Sequence, residues 1–242
     1  MRPPIPILTY HQVEAPPPRG TPFRSLVVDP GAFARQLGFL KLLGYQGLSM
    51  SALQPYLRGE KTGKVVGITL DDGYVNNLTH ALPALARYDF SATCYVVSGQ
   101  LGGSNVWDAA NGVPAKPLMD KAQLQAWVAG GQEVGAHTRH HVDLRTLDAA
   151  AARDEIAGCR DDLEQLLGVP VRHFCYPYGH YAPEHARMAR AAGYDTAVTT
   201  QRARTTPQDD LLELPRAPVL QSTSLPVLWM KVATGYEDRR RA

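Results

Sequence analysis

Seven short runs of strand-forming residues recur along this chain of 242 residues: IPILTY, GYQGLS, KVVGITL, SATCYVV, QEVGAH, VRHFCYP and YDTAVTT, with helical patterns between most of them. Alternation of this kind pairs strands in parallel, because each crossover returns the chain to the same end of the sheet. The helical pattern is explicit in DPGAFARQLGFLKLLG, where Asp29 is placed to cap, Pro30 takes the first helical position and Gly44 closes the helix. The stretch from Thr146 to Gly168 repeats it with a long, charge-laced amphipathic body. No internal repeat or low-complexity linker breaks the pattern, and APPPRGTP at residues 15–22 reads as one rigid loop. The expected fold is an α/β barrel in a single domain over residues 1–242, and in such barrels chemistry gathers at the C-terminal ends of the strands.

Composition narrows the function classes. A hydrophobic share of 44% is enough for a sizeable core, and 25 basic against 23 acidic residues leave no electrostatic footprint for nucleic acid or an anionic membrane. No apolar run approaches the ~18 residues of a membrane span. The opening MRPPIPILTYHQV is too short and too Pro-broken for a signal peptide, so a cytoplasmic location is expected, or a periplasmic or secreted one if a leader was removed. Cys94, Cys159 and Cys175 form no CxxC and read as buried small hydrophobes. Trp127 and Trp229 fall in helical patterns and read as core, and Arg239–Arg241 reads as a solvated tail. The sequence is silent on oligomeric state.

The strand ends then become a test of function. The first run ends in Tyr10-His11, the third in Asp71-Asp72-Gly73, the fifth in His137 with His141 four residues on, and the sixth in YPYG at 176–179. An Asp pair before Gly is also an ordinary turn, and HTRHH at 137–141 is also an ordinary polar loop. Taken together on one rim, two imidazoles from one loop and a carboxylate from another strand make a metal set with positions left for water and substrate. A second carboxylate beside it suits a general base.

TLDDG (69–73), HTRHH (137–141) and YPYG (176–179), in that order, resemble the first three motifs of the polysaccharide deacetylase family, the NodB-type carbohydrate esterases of family 4. LTYHQV (8–13) resembles the first strand of the branch acting on poly-N-acetylglucosamine, and the likeness runs from residue 7 to about 219. It implies a distorted (β/α)7 barrel that removes acetyl groups from saccharides with a divalent metal, usually zinc. Cobalt, nickel and iron(II) suit the same donors. It further implies Asp72, His137 and His141 as ligands, Asp71 as general base, and a backbone N–H at Tyr178 facing the tetrahedral oxyanion.

The chain departs from the family at three places. Cys175 stands where the best-known branch has an arginine that orients the base, GYDTAVTT (193–200) lacks a tryptophan, and no histidine follows His185. LELPRAPV (212–219) ends the barrel and offers Arg216, either against Asp71 or as a surface group; Arg216, Tyr178 and Trp107 are the expected substrate contacts. With the last-strand histidine missing, His11 is the expected general acid, because the final strand of a closed barrel lies beside the first. His180 is close enough to the third motif to line the pocket, and His140 is expected to face solvent. An N-acetylated saccharide is the expected substrate. A saccharide-binding protein on a weakened catalytic barrel, and a glycoside hydrolase, are the alternatives.

Overall fold

The computed structural model describes residues 3–241. Its strands are β1 (Ile7–Tyr10), β2 (Gln12–Val13), β3 (Val27–Val28), β4 (Gln46–Leu48), β5 (Val65–Leu70), β6 (Thr93–Val96), β7 (Glu133–Ala136), β8 (His173–Cys175), β9 (Thr196–Arg202) and β10 (Leu214–Pro218). Its helices are α1 (Pro30–Leu42), α2 (Met50–Leu57), α3 (Leu82–Tyr88), α4 (Lys121–Ala129), α5 (Ala149–Arg153), α6 (Cys159–Leu167), α7 (Pro183–Ala191) and α8 (Leu225–Ala233). β1 pairs with β10 on one edge and with β5 on the other, so β1, β10, β9, β8, β7, β6 and β5 close a ring of parallel strands. That is the distorted (β/α)7 barrel.

Membership of the ring differs from the sequence expectation. GYQGLS does form a strand, but β4 pairs with Val65–Gly67 on the edge of β5 that β6 uses at Thr69–Leu70, so it stands beside the barrel. The seventh place goes to β10, which the alternation did not count as a strand. Strand propensity reports local fit to a pleated surface and carries no information about which neighbour a strand finds.

Alternation along each strand sorts residues between two cores. Val66, Ile68, Leu70, Cys94, Val96 and Phe174 face outward into the layer under the helices, whereas Ile7, Val65, Tyr95, Cys175, Val198 and Leu214 fill the barrel. Helix α2 plugs the N-terminal mouth with Met50, Leu53 and Leu57. Two glycines make this filling possible: a Cβ on Gly67 would lie 2.8 Å from Leu53, and one on Gly135 would lie 2.5 Å from the Tyr95 ring. At the same end Glu133 accepts from the Ser51 amide at 3.1 Å and from the Ser51 and Thr93 hydroxyls, and His173 meets Ser51 Oγ and Thr196 Oγ1, each at 2.8 Å.

Local signals hold at α1, where the Asp29 carboxylate accepts from the Ala32 amide at 2.9 Å. The second helical pattern starts later than Thr146: Asp148 caps α5, a π-helical turn at Asp154–Gly158 joins it to α6, and Gly168 ends it at φ 67°. Cys94, Cys159 and Cys175 are buried free thiols. Trp127 is buried, but Trp229 is 45% exposed, on the outer side of α8. Nor is the arginine run a free tail, since Arg241 pairs with Asp209 and Arg240 lies over the Tyr236 ring. No helix among the described residues is long and apolar enough to cross a membrane.

Candidate active site

The strand period carries the inward-facing positions upward through Ile7-Thr9-His11, Val65-Gly67-Thr69-Asp71, Gly135-His137, Val198-Thr200 and Leu214-Arg216. The last member of each series reaches the C-terminal rim, where His11, Asp71, His137, Thr200 and Arg216 line one cavity of about 130 Å³. Asp72 would point outward if the strand continued. Instead it adopts φ 76°, in the left-handed region that costs a non-glycine residue about 1 kcal/mol, which turns the chain and sets its carboxylate on the same rim. Thr138 and His141 are also left-handed, at φ 63° and 55°, and this curl brings His141 back beside His137.

Asp72, His137 and His141 are all buried, and one ligand atom from each lies within 4.8 Å of the others. Asp72 Oδ1 sits 3.5 Å from His137 Nε2 and 3.4 Å from His141 Nε2. His137 meets the Cys175 carbonyl with Nδ1 at 2.8 Å, which makes Nδ1 the protonated nitrogen and leaves the Nε2 lone pair aimed at the cluster. His141 has no such partner: its Nδ1 is buried without a hydrogen bond, and the ring is held by Trp107 stacked on it at 4.4 Å and the edge of Tyr178 at 4.6 Å. Burial works to raise the Asp72 carboxyl, but the two imidazoles outweigh it and hold it well below the usual range; burial lowers His141. Two imidazole nitrogens and a carboxylate, converging in a buried pocket, fit a divalent ion of the zinc type.

Asp71 lies beside this cluster. Arg216 grips it through both oxygens, at 2.7 and 2.8 Å, and spends its remaining donors on Thr69 Oγ1 at 3.1 Å and the Thr199 carbonyl at 2.9 Å. Burial pushes the Asp71 carboxyl up, but the guanidinium prevails and lowers it. Arg216, at the edge of the cavity, is 2% exposed, and its donor directions are taken by the protein. Its Nη2 lies 3.3 Å from Cys175 Sγ. The small thiol at the position of the expected arginine leaves room for a guanidinium arriving from β10 instead. His11 brings Nε2 to 3.9 Å from Asp71 Oδ2, and β1 lies beside β10 as closure of the ring requires.

The rim is completed by groups of mixed standing. Trp107 reaches the cavity, with one face already covered by His141. Tyr178 lines it too, at φ 58° and 43% exposed. His180 does not; it pairs with Asp143 at 2.9 Å outside the cavity. His140 is exposed and pairs with Glu155. Phe23 and Asp108 line the cavity without a sequence signal, because Phe23 caps a three-residue 3₁₀ turn and Asp108 sits in a 3₁₀ helix at Val106–Asn111, both too short for a periodicity to mark an inward face. Burial and the neighbouring Asp72 carboxylate push the Asp108 carboxyl up.

Comparisons with known proteins place these features in a family. Residues 58–197, more than half of the chain, match the polysaccharide deacetylase family model. The deacetylase PplD of Streptococcus pyogenes, solved in complex with acetate, superimposes with a TM-score of 0.83 at 27% identity, over 96% of this chain and 99% of that one. IcaB from Ammonifex degensii superimposes with a TM-score of 0.76 at 26% identity, over 93% of this chain and 95% of that one. YxkH of Bacillus subtilis (strain 168), which carries a polysaccharide deacetylase name, is 27% identical over 199 residues; the match takes in 81% of this chain and 64% of YxkH. This chain belongs to the polysaccharide deacetylase family.

Proposed function

We propose that the protein is a metal-dependent hydrolase that removes N-acetyl groups from a polysaccharide, an oligosaccharide or a lipid-linked saccharide. The carrying observation is the buried Asp72–His137–His141 cluster set directly beside a carboxylate, Asp71, that is held ionised by Arg216. A divalent ion on the cluster, zinc by preference, would acidify a water and polarise the acetamide carbonyl. Asp71 takes the proton from the attacking water, and Arg216 fixes the carboxylate's two oxygens so that it is ionised and oriented before substrate arrives. His11, at the end of the neighbouring strand β1 and 3.9 Å from Asp71, delivers a proton to the departing amine. The loop that holds Tyr178 in its left-handed turn faces the same cavity, where its backbone can support the oxyanion. The acetate held by PplD is the product such a reaction would release.

Acetate release from N-acetylglucosamine oligomers tests the reading. Release that stops on chelation and returns with added zinc or cobalt is the expected result. Sugar cleavage unaffected by the chelator would instead favour a glycoside hydrolase, and binding of the oligomer with no acetate released in any metal would favour a saccharide-binding protein.

A further inference from the structure

Three carboxylates face the cavity, and two have partners: Asp71 has Arg216, and Asp72 has the two histidines. The third, Asp108, is 8% exposed and lies in no ion pair among the described residues, its one side-chain donor being Asn105. A carboxylate taken out of water without a cation is costly unless other donors reach it. Asp108 lines the cavity, so a molecule that fills it can bring donors to this carboxylate.

Phe23 shows the complementary anomaly. A bulky aromatic sits at φ 55°, ψ 16°, in the left-handed region, and is 47% exposed while lining the cavity. Exposed apolar area and an unfavourable backbone are both retained there, a combination that points to use. The loop is rigidly held: Leu26 donates to the Phe23 carbonyl at 2.9 Å, and Arg24 ties the loop to Pro17 and Gln221 at 2.7 and 3.0 Å. The Lys116–Glu14 ion pair at 2.6 Å joins it to the loop that carries Asp108. The two anomalies therefore stand on two loops fastened to each other over one cavity.

We propose that Phe23 and Asp108 form a pyranose subsite beside the metal cluster, with the Phe23 ring against the C–H face of the sugar and the Asp108 carboxylate accepting from its hydroxyl edge. A pyranose offers both surfaces at once, an apolar face and a rim of donors. The inference rests on the deacetylase reading of this site and supplies the feature that would hold a saccharide rather than a simple acetyl ester.

The test compares the parent with Asp108→Asn, Asp108→Ala and Phe23→Ala, using the N-acetylglucosamine tetramer and 4-nitrophenyl acetate. Steady-state kinetics on metal-loaded enzyme are joined by calorimetric binding of the tetramer to the full chain freed of metal. Expected are a rise of about tenfold or more in KM and in Kd for the tetramer in each alanine variant, a smaller rise in Asp108→Asn, and a fall of about tenfold in tetramer efficiency relative to the ester. Metal content should match the parent. Unchanged tetramer affinity, a loss confined to kcat, or loss of metal from the Asp108 variants would each overturn the subsite, as would a parent that does not bind the tetramer. A parent that binds the tetramer through these residues yet releases no acetate would sink the deacetylase reading and leave the subsite standing.

Discussion

Replacing Arg216 by Met, Asp71 by Asn, and both together, measures how strongly the Asp71 carboxylate is held. Arg216 and Asp71 are 2% and 3% exposed, and removing one partner of a buried ion pair costs about 3–5 kcal/mol, because the other charge is stranded. In Asp71→Asn the guanidinium keeps the Thr199 carbonyl at 2.9 Å and the Thr69 hydroxyl at 3.1 Å, so the loss belongs at the lower end, about 3 kcal/mol. In Arg216→Met the carboxylate keeps only the Cys175 thiol at 3.7 Å and His11 at 3.9 Å, and the loss belongs near the upper end, about 5 kcal/mol. The double variant strands neither charge, so the cycle should return a coupling energy of at least about 3 kcal/mol. The assay is urea unfolding of metal-stripped protein, since a metal bound only to the folded state would add its own stabilisation. Removing Arg216 also takes away the main opposition to burial's upward push on Asp71, leaving only His11 and His137 against it, so residual activity should vanish first on the acid side. Single-variant losses that simply add, within about 0.5 kcal/mol, would refute the argument that the pair acts as one unit.

Asp72→Asn, His137→Ala and His141→Ala should each lose metal by elemental analysis while keeping their circular dichroism, and full occupancy in His137→Ala would end the ligand assignment. Since no hydrogen bond at Nδ1 orients the His141 ring and Trp107 stacks on its face, Trp107→Leu should weaken metal affinity by about tenfold in competition with a chelating dye; unchanged affinity would show that the stack orients nothing. His11→Gln should retain metal and lose roughly 10²-fold in turnover, and unchanged turnover would remove His11 from the reaction. Burial raises the Glu133 carboxyl, but His173, Ser51 and Thr93 outweigh it and bring it from 4.5 down to about 2. With the folded value below the unfolded one, its stabilisation is complete above 4.5 and lost as pH falls toward about 2. The urea midpoint of Glu133→Gln should therefore depend less on pH across that interval than the parent's, and parallel curves would contradict the shift.

Much of the site is legible in the sequence because a strand end is a local signal. KVVGITL running into Asp71-Asp72, and QEVGAH running into His137, mark where inward-facing chemistry must surface. Asp72 could be named without its means of arrival, since nothing in a sequence states that a non-glycine residue takes φ 76°. Arg216 could be placed near Asp71 but not assigned to it, and the reason the Cys175 position tolerates a thiol appears only when β10 is seen to deliver the guanidinium from the neighbouring side. The family match at residues 58–197 stops short of both His11 and Arg216. Phe23 and Asp108 left no trace, because the 3₁₀ turns at Arg24–Leu26 and Val106–Asn111 are too short to carry a period. Trp229 shows the converse error: a helical pattern says which residues share a face, and not that the face is covered.

The closure seam bears on the order in which the molecule becomes competent. β1 and β5 can pair early in synthesis, but Arg216 lies 145 residues beyond Asp71, and the edges of β1 and β9 stay unpaired until Leu214–Pro218 has docked between them. Contacts that distant in sequence form late in folding. Until then the interior carboxylate has no counter-ion and the mouth of the ring is open to water. Shutting the ring and pairing that carboxylate are one event, and a chain stalled before it would hold most of the fold without the Asp71–Arg216 pair.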